Sequence, residues 1–552
     1  MADRGHLFVI DGDLTKVACD AWLLPTDADF DITDAWVHVF PAARMSVTDW
    51  GGGLYSQRLT GASWPSGTLG CVVEYGEIDG CRVFLANIGH SAADPTVYSG
   101  AVLEFVRQAT ARCGVTGRLP RFAINQIGSG HGGGKQVRGG ILDNLISAIE
   151  TELNSGNIKA DIILTSWGEK AEAAAQYMRL AGRQDSYPSS AQWYFSNSNI
   201  DLHRKARDLA MHFKARNACI FMGAGASAGA GIPTWSRLLE KMSRGTTLEN
   251  SADFAGADVL ARASLLKWSL GPDEFAGRID RELSSPKFSL LHGLLSSLPC
   301  GEFITTNVEQ LFEKAATSRE RGISVLPATG DQHMIGRWLL KIHGCVSDPA
   351  SLVFTKEDYD GSVSSRRALF GVLQAMLLTR HIVFVGYSLS DPDFLEIVQE
   401  VKDALPKPGH NGDLSHRKLG TVITLFTDEE KNASLGDLFD IVPISSLPKE
   451  SATDQQFEDA VRDLERFIDL VGMLSSDRAA FLMDSRYEDL LDENERKLAE
   501  VLNVVAQQSE RFRTSSGWDQ VWELLRSLGA HPVSIGGERP GVLPGIPHVG
   551  SG

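Results

Sequence analysis

Two kinds of apolar pattern alternate along this chain. Short unbroken runs, as at 219–222, 303–304 and 382–385, pass directly into glycine or small polar residues, and Leu340-Lys-Ile342 passes into His343-Gly344. Runs this short with no polar alternation predict strands buried on both faces, as in a parallel sheet. The runs within 7–10, 21–24, 122–124 and 161–165 predict an earlier set of strands, with an amphipathic helix reaching about Leu153 between the last two. Helices are predicted at 201–216 and over most of 236–298, and further strands at 421–426 and 441–443. From about Asp454 the chain reads as helical, with Phe457, Val461, Leu464, Phe467 and Ile468 at helical spacing. Polar, turn-rich residues at 183–200 predict a linker, 406–412 a surface loop, and the Gly- and Pro-rich 532–552 a disordered tail. The expected division is therefore 1–182, a linker 183–200, 201–453, a helical region 454–531 and a tail.

Each short strand of the 201–453 unit ends in residues suited to holding a ligand. Gly223-Ala-Gly-Ala-Ser227 follows the first and runs toward a helix. Its glycines are expected to turn the backbone and bare its N–H groups to an anion at a helix N-terminus. Thr305-Thr-Asn307, His343-Gly344 and Gly386-Tyr-Ser388 follow the others. Polar residues there fall at the carboxyl edge of a parallel sheet, where α/β folds bind ligands. These motifs, with Gly231-Ile-Pro-Thr-Trp235 and in this order, resemble the sirtuin family over roughly half the chain. The resemblance implies a Rossmann-like domain with a helical cap that acts on NAD⁺ at its nicotinamide–ribose bond. Asn307 would hold the ribose and a water, and His343 would be the general base. Gly223, Ala224, Gly225 and Ser227 would contact phosphate, and Gly386 and Ser388 would line the phosphate and adenosine end. Pro233, Trp235, Thr306, Glu309 and Asp391 complete the expected nucleotide contacts. A helix N-cap accounts equally well for Asp391.

Three departures from the protein-deacetylating members narrow the activity. Between His343 and Gly386 the only cysteine is Cys345, so the two cysteine pairs of the family's zinc module are missing and no zinc is expected. The peptide-binding strand after the histidine is unrecognisable, and Glu309 stands where the family has Asp. Together with Thr355-Lys-Glu-Asp-Tyr359 and Asp391-Pro392, this looks like the sirtuin-like effectors of bacterial antiphage defence. That implies a glycohydrolase, with NAD⁺ as substrate and water as acceptor.

The first unit resembles a macro domain, a reader of ADP-ribose-like ligands with an α/β/α fold. Gly12-Asp13-Leu14-Thr15 matches that family's adenine-recognising segment, with Asp13 as acceptor and Leu14 beside it. Gly128-Ser129-Gly130-His131-Gly132 matches its phosphate loop. Pro25-Thr-Asp27 replaces the family's Asn-Ala-Ala-Asn segment, so a binding module is expected, not a second enzyme.

Composition sets limits on partners. A net charge of −17 excludes general nucleic-acid binding, which needs basic surface. Seven scattered cysteines suit reduced thiols, and neither a secretion signal nor a bilayer-spanning apolar run is present, so a cytoplasmic protein is expected. The expected partners are NAD⁺, a nucleotide-derived activator or ADP-ribose at the first unit, a second copy of the chain, and a phage or host trigger protein. An NAD⁺-dependent protein deacylase and a non-catalytic NAD⁺ or ADP-ribose receptor remain alternatives.

Overall fold

The computed structural model describes all but residues 1–3, 48–56, 90–93, 129–137, 182–192, 197, 199, 320–321, 328–335, 362, 390, 406–417, 509–514 and 531–552. Most of the expected linker, the expected surface loop and the expected tail lie outside the described residues. Two sheets organise the rest.

The first sheet uses β1 (Leu7–Asp11), β2 (Ala21–Thr26), β6 (Val72–Ile78), β7 (Cys81–Asn87), β8 (Arg121–Asn125) and β9 (Asp161–Ser166). Their order is β1-β9-β8-β2-β7-β6, and all neighbours are parallel except β6 with β7. A small antiparallel sheet of β3 (Asp31–Ile32), β4 (Met45–Val47) and β5 (Gln57–Leu59) sits beside it. One face of the larger sheet packs on α2 (Pro95–Arg112) and α3 (Arg138–Asn154), with α4 (Glu169–Ala181) at the side where β1 lies. The short α1 (Asp34–Val37) lies by β3.

The second sheet is parallel throughout, in the order β12-β13-β11-β10-β14-β15-β16. Its strands are β10 (Ala218–Met222), β11 (Glu302–Thr305), β12 (Ser324–Leu326), β13 (Trp338–Lys341), β14 (His381–Val385), β15 (Gly420–Thr424) and β16 (Phe439–Pro443). Burial on both faces explains why these strands read as unbroken apolar runs. On one face lie α5 (Leu202–Lys214), α10 (Leu290–Ser297), α11 (Leu311–Thr317) and α16 (Asp454–Ser475). On the other lie α13 (Val363–Thr379) and α14 (Pro392–Ala404), which bring Leu373, Leu377, Phe394 and Ile397 onto Phe221, Ile304 and Phe384. The expected cap is α6 (Trp235–Ser243), α7 (Ala252–Gly256), α8 (Val259–Leu270) and α9 (Pro272–Leu283), with its own small core.

The expected separation into modules is corrected by the core. Phe8, Ile10, Trp22, Leu24, Val83 and Leu85 on the second face of the first sheet pack with Leu290, Leu294, Phe467, Leu470 and Val471 from α10 and α16. Those helices also cover the second sheet, so both sheets share one core. Nor is 454–531 a separate region. A capping box of Thr453 and Gln456 starts α16, which runs between the sheets. Residues 478–490 and α17 (Glu493–Gln507) then pack on α3 and α4 of the first unit. Among the described residues no helix is long and apolar enough to cross a membrane.

Candidate functional site

The site is built where four strands of the second sheet stop in register. Met222 pairs with both Thr305 and Val385, and Thr305 pairs with Lys341. The next residues, Gly223, Thr306, Ile342 and Gly386, therefore leave the sheet at one level. Asn307, His343 and Ser388 follow on the same edge.

The glycine turn is braced by backbone hydrogen bonds. Ala224–Ala230 is a 3₁₀ helix ended by Gly231 in the left-handed conformation, before α6 begins. The Gly223 N–H donates to Val385 O (3.0 Å), that of Gly225 to Gly386 O (2.9 Å) and that of Ala226 to Gly223 O (3.0 Å). These donors bind protein, not an anion. Glycine is required because the 386–387 backbone presses on the turn. A Cβ at Gly223 would lie 2.6 Å from Gly386 O, and one at Gly225 would lie 2.8 Å from Gly386 Cα. Gly386, at φ +66°, is equally confined against the Ala226 nitrogen. Within 223–227 only Ala224 and Gly225 are exposed.

Ser227 faces inward as well. It is buried, donates its hydroxyl to Glu309 Oε1, and lies 3.4 Å from His292 Nε2. Asn307 Nδ2 sits 3.1 Å from Gly223 O, 3.1 Å from Ser227 Oγ and 3.2 Å from Glu309 Oε1. Ser227 and Glu309, the expected phosphate and ribose contacts, both hold the Asn307 amide. With Nδ2 fixed, the amide oxygen is left to accept from a ligand. Burial raises the Glu309 carboxyl above its ordinary value despite the Ser227 hydrogen bond. Beneath this layer, burial pushes His292 down to about 3, so it stays neutral, hydrogen-bonded at Nδ1 to Ser289 Oγ (3.1 Å). Lys341 Nζ donates to Glu309 O (2.6 Å) and to the Glu313 carboxylate, bracing the Asn307–Glu309 segment. Sequence reasoning assigned nothing to His292 or Lys341. A charged residue inside the otherwise apolar run 339–342 was the available signal for Lys341.

His343 is buried, with Nε2 3.2 Å from Asp391 Oδ2 and 3.4 Å from the Tyr359 hydroxyl. Its neighbour Gly344 has φ +80°, and a Cβ there would fall 2.2 Å from Ser351 O, so the turn after the histidine admits only glycine. Tyr359 lies on α12 (Lys356–Gly361). Asp391 caps α14, accepting from Asp393 N at 3.1 Å. Burial opposes its charge, but hydrogen bonds from His343 and the backbone hold its carboxyl below the ordinary value. Thr306 donates its N–H to Met222 O (3.3 Å) at the same edge. Trp235 opens α6 and packs against Phe354, whose neighbour Val353 donates its N–H to His343 O (3.1 Å). Pro233 is half-buried and Ser388 is exposed.

In the first unit, Asp13 Oδ1 accepts from Thr15 N (2.9 Å) and Thr15 Oγ1 (2.7 Å), which ties the expected adenine acceptor into a local turn. The side chain of Leu14 is buried in the shared core. Gly12 packs against Ser318 Oγ, and Gly128, at φ +82°, against the Tyr98 ring. Ser129, Gly130 and Gly132 lie outside the described residues.

Against known families, residues 301–444 match the SIR2-like domain. The chain is 26% identical over 209 residues to an NAD(+) hydrolase ThsA of Cytobacillus dafuensis, covering 37% of this chain and 42% of that protein. It is 28% identical over 197 residues to the NAD(+) hydrolase ThsA of Enterococcus faecium, covering 34% and 40%. It is 25% identical over 199 residues to a defense-associated sirtuin 2 of Bacillus subtilis, covering 34% and 20%. The chain thus spans about two fifths or less of the length of these curated relatives. The edge that carries Asn307, His343 and Gly386 lies inside the segment that matches the SIR2-like domain.

Proposed function

We propose that this chain hydrolyses NAD⁺ to nicotinamide and ADP-ribose, as a regulated effector of antiphage defence that depletes the nucleotide. The observation that carries this reading is the convergence of a fixed Asn307 amide and a buried His343 at one carboxyl edge of a SIR2-like domain. The similarity to proteins named NAD(+) hydrolases supports it. Cleavage expels neutral nicotinamide and leaves an oxocarbenium-like ribose, so the site must hold the ribose and deliver a water. Asn307, through its free amide oxygen, orients the ribose and that water. His343 removes the water's proton as its oxygen bonds to the anomeric carbon. The electron pair of the breaking C–N bond passes to the nicotinamide nitrogen and cancels its charge.

The first unit would hold a nucleotide-derived signal or ADP-ribose at its own carboxyl edge. There Asn87 and Asn125, the last residues of β7 and β8, have buried side-chain oxygens without a partner. A cytoplasmic setting and self-association belong to the same reading.

The test is nicotinamide release from NAD⁺ by the full chain without any peptide. Asn307→Ala and His343→Ala should each lower the rate by about 10²-fold or more. Equal rates in wild type and both variants would overturn the assignment.

A further inference from the structure

We propose that Asp391 is the positioning residue for His343: its carboxylate holds the imidazole with Nε2 turned inward, so that Nδ1 faces the ribose and its water. This rests on the hydrolase reading above and adds to it the orientation of the base. The distance of 3.2 Å between Nε2 and Asp391 Oδ2 is a hydrogen bond. Asp391 is itself rigid. Its other oxygen accepts the Asp393 N–H at the first turn of α14, and the side chain is only 11% exposed. An ionised carboxylate accepts and does not donate, so the ring proton resides on Nε2. That leaves Nδ1 unprotonated and basic.

The charged and titratable groups around the ring arrive from three helices. Tyr359 on α12 stands 3.4 Å from the same Nε2. Arg366 on α13 lies over the Tyr359 ring at 5.1 Å and 3.1 Å from Asp393 Oδ2. Asp391 and Asp393 come from the start of α14. Among the described residues, Asp391 is the one that places a carboxylate on the imidazole. In the reaction the water proton moves to Nδ1 while Asp391 stays ionised and steadies the imidazolium. The proton then leaves from Nδ1 to solvent, and the base is restored. This is the orienting role that a third carboxylate plays toward a catalytic histidine in acyl-transfer enzymes.

Helix capping alone would explain the position of Asp391 but not its second oxygen on His343. The two are separable, because Asn caps a helix as well as Asp does. Asp391→Asn should therefore keep the fold while removing the charge. Expected are a fall in kcat of about 10²-fold with KM within about twofold, and no further loss when it is combined with His343→Ala. In ¹⁵N-histidine spectra of the full chain, His343 should carry its proton on Nε2 in the wild type and distribute it over both nitrogens in Asp391→Asn. A raised KM with unchanged kcat would make Asp391 a nucleotide contact, and a raised kcat would make it a resting clamp. Either result overturns the proposal, as does a wild-type proton on Nδ1. If the wild type released no nicotinamide, the hydrolase reading would fail while the nitrogen spectra still decided the orientation.

Discussion

Asn307 is held by three acceptors that converge on a single atom, and none of the three belongs to a ligand. Ser227→Ala removes the middle one and strips the buried Glu309 carboxyl of its hydroxyl donor. The expected cost is about 1–3 kcal/mol of stability, because the orphaned group is buried. Nicotinamide release should fall at least tenfold, since a loosened amide misplaces the ribose. Denaturant unfolding and rate measurements on one preparation check both. The position of Asn307 and His343 at the sheet edge was legible, because polar residues just past buried strands fall there. It could not show that Ser227 and Glu309 turn inward, since the direction of a side chain at that edge depends on the layer beneath.

The buried titratable groups carry a second residue-scale expectation. His6 at about 4 and His292 at about 3 are both depressed by burial and stay neutral when folded. Unfolded histidines take up protons near 6.5, so their contribution is fully present above that pH and lost as pH falls toward 4 and 3. Glu172, raised by burial to about 8, has the opposite sign: its contribution is present below its ordinary 4.5 and lost as pH rises toward 8. Melting curves of Glu172→Gln should therefore fall less than wild type between about pH 6.5 and 8. An identical decline would remove Glu172 from the account.

Among the elements, α16 departs most from its sequence pattern. The apolar stripe was legible: Leu464, Phe467 and Ile468 are buried, though Phe457 is 43% exposed and stacks only on Phe426. Charged residues of the same helix, Asp463, Glu465, Arg466 and Asp469, are buried too. Asp463 accepts from Ser196 N (2.9 Å) and pairs with Arg466, while Glu465 and Asp469 find their partners in the first unit. Arg462 pairs with Asp161, Arg121 with Glu465, and both Arg179 and His6 with Asp469. Periodicity reports only where apolar residues lie, and a helix between two sheets can bury its polar side when opposite charges meet it. Asp469→Ala should cost about 3–5 kcal/mol in denaturant unfolding, because it leaves the Arg179 guanidinium, only 2% exposed, without its carboxylate. A loss below about 1 kcal/mol, the level of a surface pair, would show the network to be solvated.

At the scale of the molecule, the two sheets were legible and their union was not. Each strand set announces itself locally, whereas the choice of α10 and α16 as the layer common to both sheets depends on contacts between distant segments. The consequence is mechanical. Asp11 at the end of β1 pairs with Arg319 at 2.7 Å, and Phe288 exchanges backbone hydrogen bonds with Lys16 and Ala18. Arg319 lies just beyond α11, whose start follows Asn307 and Glu309. A ligand at the edge of the first sheet would thus meet residues one short helix away from the Asn307 amide. The same union argues against testing the first unit by itself. Residues 1–181 alone would expose Phe8, Ile10, Trp22, Leu24, Val83 and Leu85, all at most 2% exposed in the full chain. Fully burying such side chains is worth about 1.5–3 kcal/mol each, comparable in sum to the whole stability of an ordinary domain. The isolated fragment should therefore be aggregated or loosely packed, with rapid amide exchange across β1, β2 and β7, while the full chain protects those strands. A soluble fragment with native-like protection would show instead that the first sheet completes its own core and that the shared layer is an interface between independent domains.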